Sequence, residues 1–224
     1  RFHELLERSA HYFVPRVHGD LTTRRILAMD RVAGEALDSP ALARAPQRLR
    51  NAIGRRIQAL LFREFFEFRY VQTDPNPANY VYQREHGRLA LLDFGSTVAL
   101  EPERAEGYRA ICRAIIDRDR KSLREQALRL GYIREADPEE RVRDVIEIIE
   151  LVCEAIRRRG AYDFAASGLA LRARDLGIDV AMRRGLPAPP AETLFLHRKL
   201  VGTFLLCANL RARIDVRSLV EPFL

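Results

Sequence analysis

Apolar positions along this chain follow two rhythms. Ile53, Ile57, Leu60, Leu61, Phe65 and Phe68 recur at three- and four-residue spacing, so residues 46–68 predict one long helix with a single apolar stripe. Two short apolar runs, 80–82 and 89–92, flank His86-Gly87 and predict a β-hairpin. Before the long helix, residues 2–12 read as the end of an amphipathic helix that Pro15 breaks. The runs 14–17 and 25–32 then read as strands, the second closed by Gly34. From Pro102 onward the helical period continues almost to the end. Asp137-Pro138-Glu139-Glu140 has the form of a helix start, with a cap, a proline and acid in the first turn. Residues 185–190, Gly-Leu-Pro-Ala-Pro-Pro, read as a loop, 191–211 as a further helix, and Asp215 as the cap of a short last one. The pattern is a small β-containing part, a hairpin and a large helical body, with no internal repeat or low-complexity tract.

Composition narrows the class. The chain has 224 residues, 47% of them hydrophobic and 31% charged, which is an ordinary globular balance with ample material for a core. The net charge is +7, yet lysine occurs only at Lys121 and Lys199. An arginine surplus of this kind reads either as coding bias or as a basic face for anionic membranes, phosphates or nucleic acid. Arginines interleaved with Glu and Asp, without a five-residue basic run, fit solvated helix faces, and nucleic-acid binding is not expected. Cys112, Cys153 and Cys207 lie far apart in apolar stretches and read as reduced core residues of a cytoplasmic protein. The most apolar stretch, 194–210, is cut by His197, Arg198 and Lys199, so no membrane-spanning helix is expected.

The chemistry sits in the turns. The long helix leads to Asp74-Pro75-Asn76-Pro77-Ala78-Asn79, and the second hairpin strand ends in Asp93-Phe94-Gly95. An Asp five positions before an Asn, then a hairpin closing on DFG, is the order of a kinase catalytic loop and its metal-binding partner. Asp74 would accept or orient the nucleophile's proton. Asn79 supplies a hard oxygen for Mg²⁺, and the Asp93 carboxylate joins that metal to nucleotide phosphates. The bland reading is a pair of turns rich in Asp, Asn, Pro and Gly. Their conjunction with a long helix and a hairpin favours the catalytic one.

Residues 26–35 resemble a kinase strand entering the interlobe hinge, with Met29 as gatekeeper and the Asp30 carbonyl and Val32 amide facing the adenine edge; the alternative is a plain strand ending in a glycine turn. His18-Gly19-Asp20-Leu21 mimics the catalytic triplet of small-molecule phosphotransferases. Arg25 stands where its Asn should be, and no long helix precedes it, so a turn between strands is the better reading. Several kinase features are missing. Gln72-Thr73 replace the usual His-Arg, Asn76 stands where protein kinases carry a Lys, no Ala-Pro-Glu follows the DFG, and residues 1–28 contain no lysine and no glycine-rich loop. Opening at Arg1 in mid-pattern, the sequence reads as an N-terminally truncated domain.

Three stretches then point to a family. Val14-Pro15-Arg16-Val17, Leu21-Thr22-Thr23 and Leu27 to Gly34, the loop Thr73 to Asn79, and Leu91-Leu92-Asp93-Phe94-Gly95 resemble the UbiB/AarF-type atypical kinases. Leu196 to Gly202 is similar to that family's C-terminal helix. The resemblance implies an α+β, protein-kinase-like fold: residues 1–34 as the remainder of an N-lobe and hinge, and 35–224 as a mostly α-helical C-lobe with the catalytic loop and DFG hairpin. It implies ATP and Mg²⁺ as cofactors, ATPase behaviour more readily than protein phosphorylation, and a link to ubiquinone or other isoprenoid-lipid metabolism. It also implies contact with quinone-biosynthesis proteins and a peripheral position at the inner membrane. By position it assigns Asp74 to catalysis and Asn79 and Asp93 to the metal. Two other functions remain open: a small-molecule phosphotransferase of the aminoglycoside or choline type, and a nucleotide-binding scaffold without enzymatic activity. The mixed charges of the helical body offer no acidic pocket for a cationic acceptor.

Overall fold

The computed structural model describes residues 1–184 and 191–224. The expected loop at 185–190 lies outside the described residues. Helix α1 (Phe2–Leu6) is followed by strand β1 (Tyr12–Phe13), β2 (Glu35–Ala36), α2 (Pro40–Ala43) and the long α3 (Gln47–Phe62). Strands β3 (Tyr70–Gln72), β4 (Tyr80–Gln83), β5 (Arg88–Leu91) and β6 (Thr97–Ala99) follow. The helical body comprises α4 (Pro102–Asp117), α5 (Arg120–Arg129), α6 (Glu139–Val152), α7 (Glu154–Arg157), α8 (Leu169–Arg184), α9 (Ala191–Asn209) and α10 (Arg217–Val220). The short strands β7 (Tyr162–Asp163) and β8 (Arg213–Ile214) pair with each other inside it.

The predicted hairpin is present, with Tyr80 opposite Leu91 and Gly87 in the left-handed turn. β1 adds to it in parallel and β2 antiparallel, giving the order β1-β5-β4-β2. Gly34 allows the approach of β2, because a Cβ there would lie 2.6 Å from the Tyr82 carbonyl oxygen. The core joins this sheet to α3 through Ile53, Ile57, Leu60, Leu61 and Leu89 and continues into α4, α6 and α9.

Four expectations need correction. The first helix stops at Leu6, because residues 12–13 pair with β5 and Leu89 N–H donates to the His11 carbonyl. The runs 14–17 and 25–32 form a single Val17–Met29 bridge rather than two strands. There the side chains compete with the ladder: the Thr22 hydroxyl takes the Ala28 N–H, and the Asp30 carboxylate takes the Arg16 N–H. The helix over 46–68 is α-helical only to Phe62; Arg63–Phe68 widens into a π-helix, a form that often marks functional sites. At 137–140, Pro138 rather than Asp137 is the cap residue, while the Asp137 carboxylate accepts from Arg134 N–H. Asp215 does accept from Ser218 N–H ahead of α10. The three cysteines are free thiols, and burial pushes Cys153 and Cys207 up to about 12.

Candidate active site

The π-helix ends at Arg69, whose left-handed backbone (φ 49°) turns the chain into β3. β3 pairs with β6, Gln72 opposite Thr97, and Thr73 extends the pairing: its N–H donates to Ser96 O at 2.8 Å. The loop 74–79 leaves this ladder, and the loop 92–96 returns to it. At the other ladder, Leu92 N–H donates to Asn79 O at 2.8 Å. Both loops are therefore pinned at both ends.

Inside the first loop, Asn76 Oδ1 accepts from Ala78 N–H at 3.0 Å, and Pro77 opens a short 3-10 turn, Pro77–Asn79. That turn aims Asn79 back across the loop. Its Nδ2 donates to both Asp74 O and Asp74 Oδ2, each at 3.2 Å. Its side-chain oxygen accepts no hydrogen bond from the described residues. Asp93 is exposed, has a left-handed backbone (φ 55°) and accepts from Gly95 N–H at 3.0 Å. Asp tolerates this region better than most side chains. Phe94 points the other way, stacked on Phe2 with ring centroids 4.6 Å apart.

Helix α9 supports the loop from behind, at residues that were not predicted as site residues. Arg198 Nε donates to Thr73 O at 2.7 Å and an Nη to Ser96 Oγ at 3.1 Å, which leaves the guanidinium 4.0 Å from Asp74 Oδ1. Lys199, 2% exposed, meets the Glu64 carboxylate at 2.7 Å. Its Nζ also reaches Tyr80 Oη at 3.3 Å and Gln72 Oε1 at 3.4 Å. Burial alone would pull Lys199 down, but the Glu64 charge, then Tyr80, outweigh it and hold the ammonium above its ordinary value. Gly202 lets the helix touch the loop: a Cβ there would sit 2.0 Å from Pro75 Cγ.

Asp74, Asn79 and Asp93 thus come together. Met29, Asp30 and Val32 do not join them through any contact among the described residues. The Asp30 N–H is engaged by Arg16 O at 3.0 Å, and its carboxylate accepts from His18 at 2.8 Å. A larger surface cavity lies elsewhere, against Arg118, Arg120 and Arg157, and contains none of the predicted site residues.

The donor set suits one kind of metal. Among the described residues no three His, Cys, Asp or Glu side chains group as a protein-only metal cage. Two carboxylates and one carboxamide oxygen are hard donors in a sparse set. That fits Mg²⁺, which keeps waters and phosphate oxygens in its shell, better than a metal that needs an all-protein site.

Fold and loop order define a kinase-like protein. The structure of Rv3197 with erythromycin from Mycobacterium tuberculosis matches all of this chain and 55% of that one, with a TM-score of 0.79 at 16% identity. The ABC1 atypical kinase-like domain matches residues 1–127, and the chain belongs to that family. It is 36% identical over 220 residues to the atypical kinase COQ8B, mitochondrial, of Rattus norvegicus, covering 98% of this chain and 41% of that protein. It is 31% identical over 223 residues to the atypical kinase COQ8, mitochondrial, of Saccharomyces cerevisiae (99% and 44%). The probable protein kinase UbiB of Marinobacter nauticus is 25% identical over 222 residues (97% and 39%). The chain spans about two-fifths of the length of these relatives. No described helix is long and apolar enough to cross a membrane.

Proposed function

We propose that this chain carries the catalytic half of a Mg²⁺-dependent, ATP-binding atypical kinase-like protein, acting as an ATPase or phosphotransferase in ubiquinone or isoprenoid-lipid metabolism. One observation carries the reading: Asn79 is bonded to Asp74 with its own oxygen left over, one residue pair away from the exposed Asp93 on the neighbouring loop. Mg²⁺, when bound with ATP, would neutralise phosphate charge. Asn79 and Asp93 would hold it, and Asp74 would orient the attacking hydroxyl or water and receive its proton. Arg198 keeps cationic charge 4.0 Å from Asp74 Oδ1. Met29, Asp30 and Val32 would line the adenine; the Asp30 carbonyl and Val32 N–H accept and donate nothing among the described residues.

The link to quinone metabolism, and contact with quinone-biosynthesis proteins, rests on the resemblance to the COQ8 and UbiB relatives. A peripheral membrane position draws support from exposed Leu194, Phe195, Val201 and Leu205 on α9 together with the arginine surplus. Failure to float with anionic liposomes overturns that position.

Phosphate release from ATP tests the chemistry. Asp74→Asn should lower turnover by roughly 10²-fold or more while nucleotide still binds, and Asp93→Asn should lose metal-dependent binding as well. Turnover unchanged in Asp74→Asn removes its assigned role. Binding without turnover in the unaltered protein favours the scaffold function.

A further inference from the structure

One side chain bonds both catalytic loops. Gln72 is 4% exposed, and its Nε2 donates to Asp74 O at 2.7 Å and to Asp93 O at 3.2 Å. A carboxamide nitrogen has two hydrogens, and each serves one loop. Its oxygen faces the Lys199 ammonium at 3.4 Å, and Lys199 is held by Glu64 from the π-helix. An ammonium donates only, so it dictates which end of the amide faces it. Flipping Gln72 would set NH₂ against NH₃⁺ and leave two carbonyls facing an oxygen. The buried ion pair therefore fixes the direction of a hydrogen-bond bridge that runs from Gln72 to Asp74 and to Asp93, the latter 21 positions on from Gln72.

We infer that Gln72, oriented by Lys199–Glu64, is the positioning residue that sets the separation between Asp74 and Asp93. Gln72 stands two places before Asp74, where ordinary protein kinases carry the His of His-Arg-Asp. An imidazole N–H offers one donor in that place; Gln72 offers two. This deepens the nucleotide-site reading and rests on it for the link to binding. The bridge itself is a property of the unliganded chain.

Two readouts separate those layers. In hydrogen exchange of the ligand-free chain, Gln72→Ala should speed exchange in both 74–79 and 92–96 while α4 to α6 keep the protection of the unaltered protein. Mn²⁺-ADP affinity, followed by Mn²⁺ resonance, should fall on the order of tenfold or more in Gln72→Ala and Gln72→Glu, because small misplacements of paired groups are costly. Gln72→His, which keeps a donor, should recover most of that loss. Glu64→Met/Lys199→Met, which removes both charges and retains bulk, should loosen the same two loops. Unchanged exchange in Gln72→Ala overturns the bridge. Equal impairment by His and Ala shows that a retained donor does not restore the site and overturns the donor role of Gln72. A double variant with both loops and affinity unchanged overturns the orienting role of the ion pair. If the unaltered protein binds no Mn²⁺-ADP while Gln72→Ala still loosens both loops, the nucleotide reading fails and the bridge stands.

Discussion

A single lysine carries much of the organisation at the residue scale. Lys199 and Glu64 are 2% and 1% exposed, so each charge depends on the other. Removing one partner of such a pair strands the other, which costs about 3–5 kcal/mol, whereas replacing both by apolar groups of similar volume is often neutral. Lys199→Met should therefore lose about that much in urea denaturation, and Glu64→Met/Lys199→Met should recover most of it. A single variant as stable as the unaltered chain would contradict the pairing. The grouping of Asp74, Asn79 and Asp93 on two adjacent loops was legible in the sequence because turn residues and their spacing are local. Gln72 and Lys199 were not, since 127 positions separate them and only the packing of α9 brings them together. The available signal was one of two lysines in an apolar run; it served to exclude a membrane span and as part of the 196–202 resemblance, without pointing to the loop it supports.

At the scale of elements, α9 and the 74–79 loop form one unit. Its buried side, through Leu196, Lys199, Thr203, Leu206 and Cys207, keeps helical spacing against α3 and the loop. Gly202 sets how near the helix comes, with Pro75 occupying the space a methyl would need. Gly202→Ala should push the two apart and cost about 1–3 kcal/mol, despite alanine's better helix propensity. A midpoint of thermal unfolding that rises in this variant would show that the loop yields freely. Helices α3 to α6 were legible because a 3.6-residue apolar period needs no tertiary information. The segment before Gly34 was not, because Thr22, His18 and Asp30 replace ladder bonds with side-chain bonds that have no periodic signature.

The surplus of positive charge shapes the whole molecule's response to acid. Arginine partners hold several carboxyls below their ordinary value of 4.5: Arg113 and Arg109 beside Glu106, Arg124 beside Glu139, Arg120 beside Glu150. A depressed carboxyl contributes stability above its ordinary value and loses it as pH falls through the folded-state value. His197 behaves alike one step higher. Burial lowers it below 6.5, so on acidification the unfolded chain takes up a proton that the folded chain resists. Unfolding midpoints should thus decline gently below about pH 6.5 and steeply below about pH 4.5. His197→Gln should remove the first decline and leave the second. Midpoints flat down to the carboxylate range in the unaltered chain would contradict the histidine assignment.

The most direct test of the account is thermal unfolding with ATP or ADP, with and without Mg²⁺, beside Asp93→Asn. A ligand at 100 times its dissociation constant stabilises by about 2.7 kcal/mol, and a domain of this size shifts by roughly 2–4 °C per kcal/mol. The account predicts a Mg²⁺-dependent rise in the unaltered chain that Asp93→Asn abolishes. A nucleotide shift indifferent to Mg²⁺ or retained in Asp93→Asn would contradict the site built from Asp74, Asn79 and Asp93.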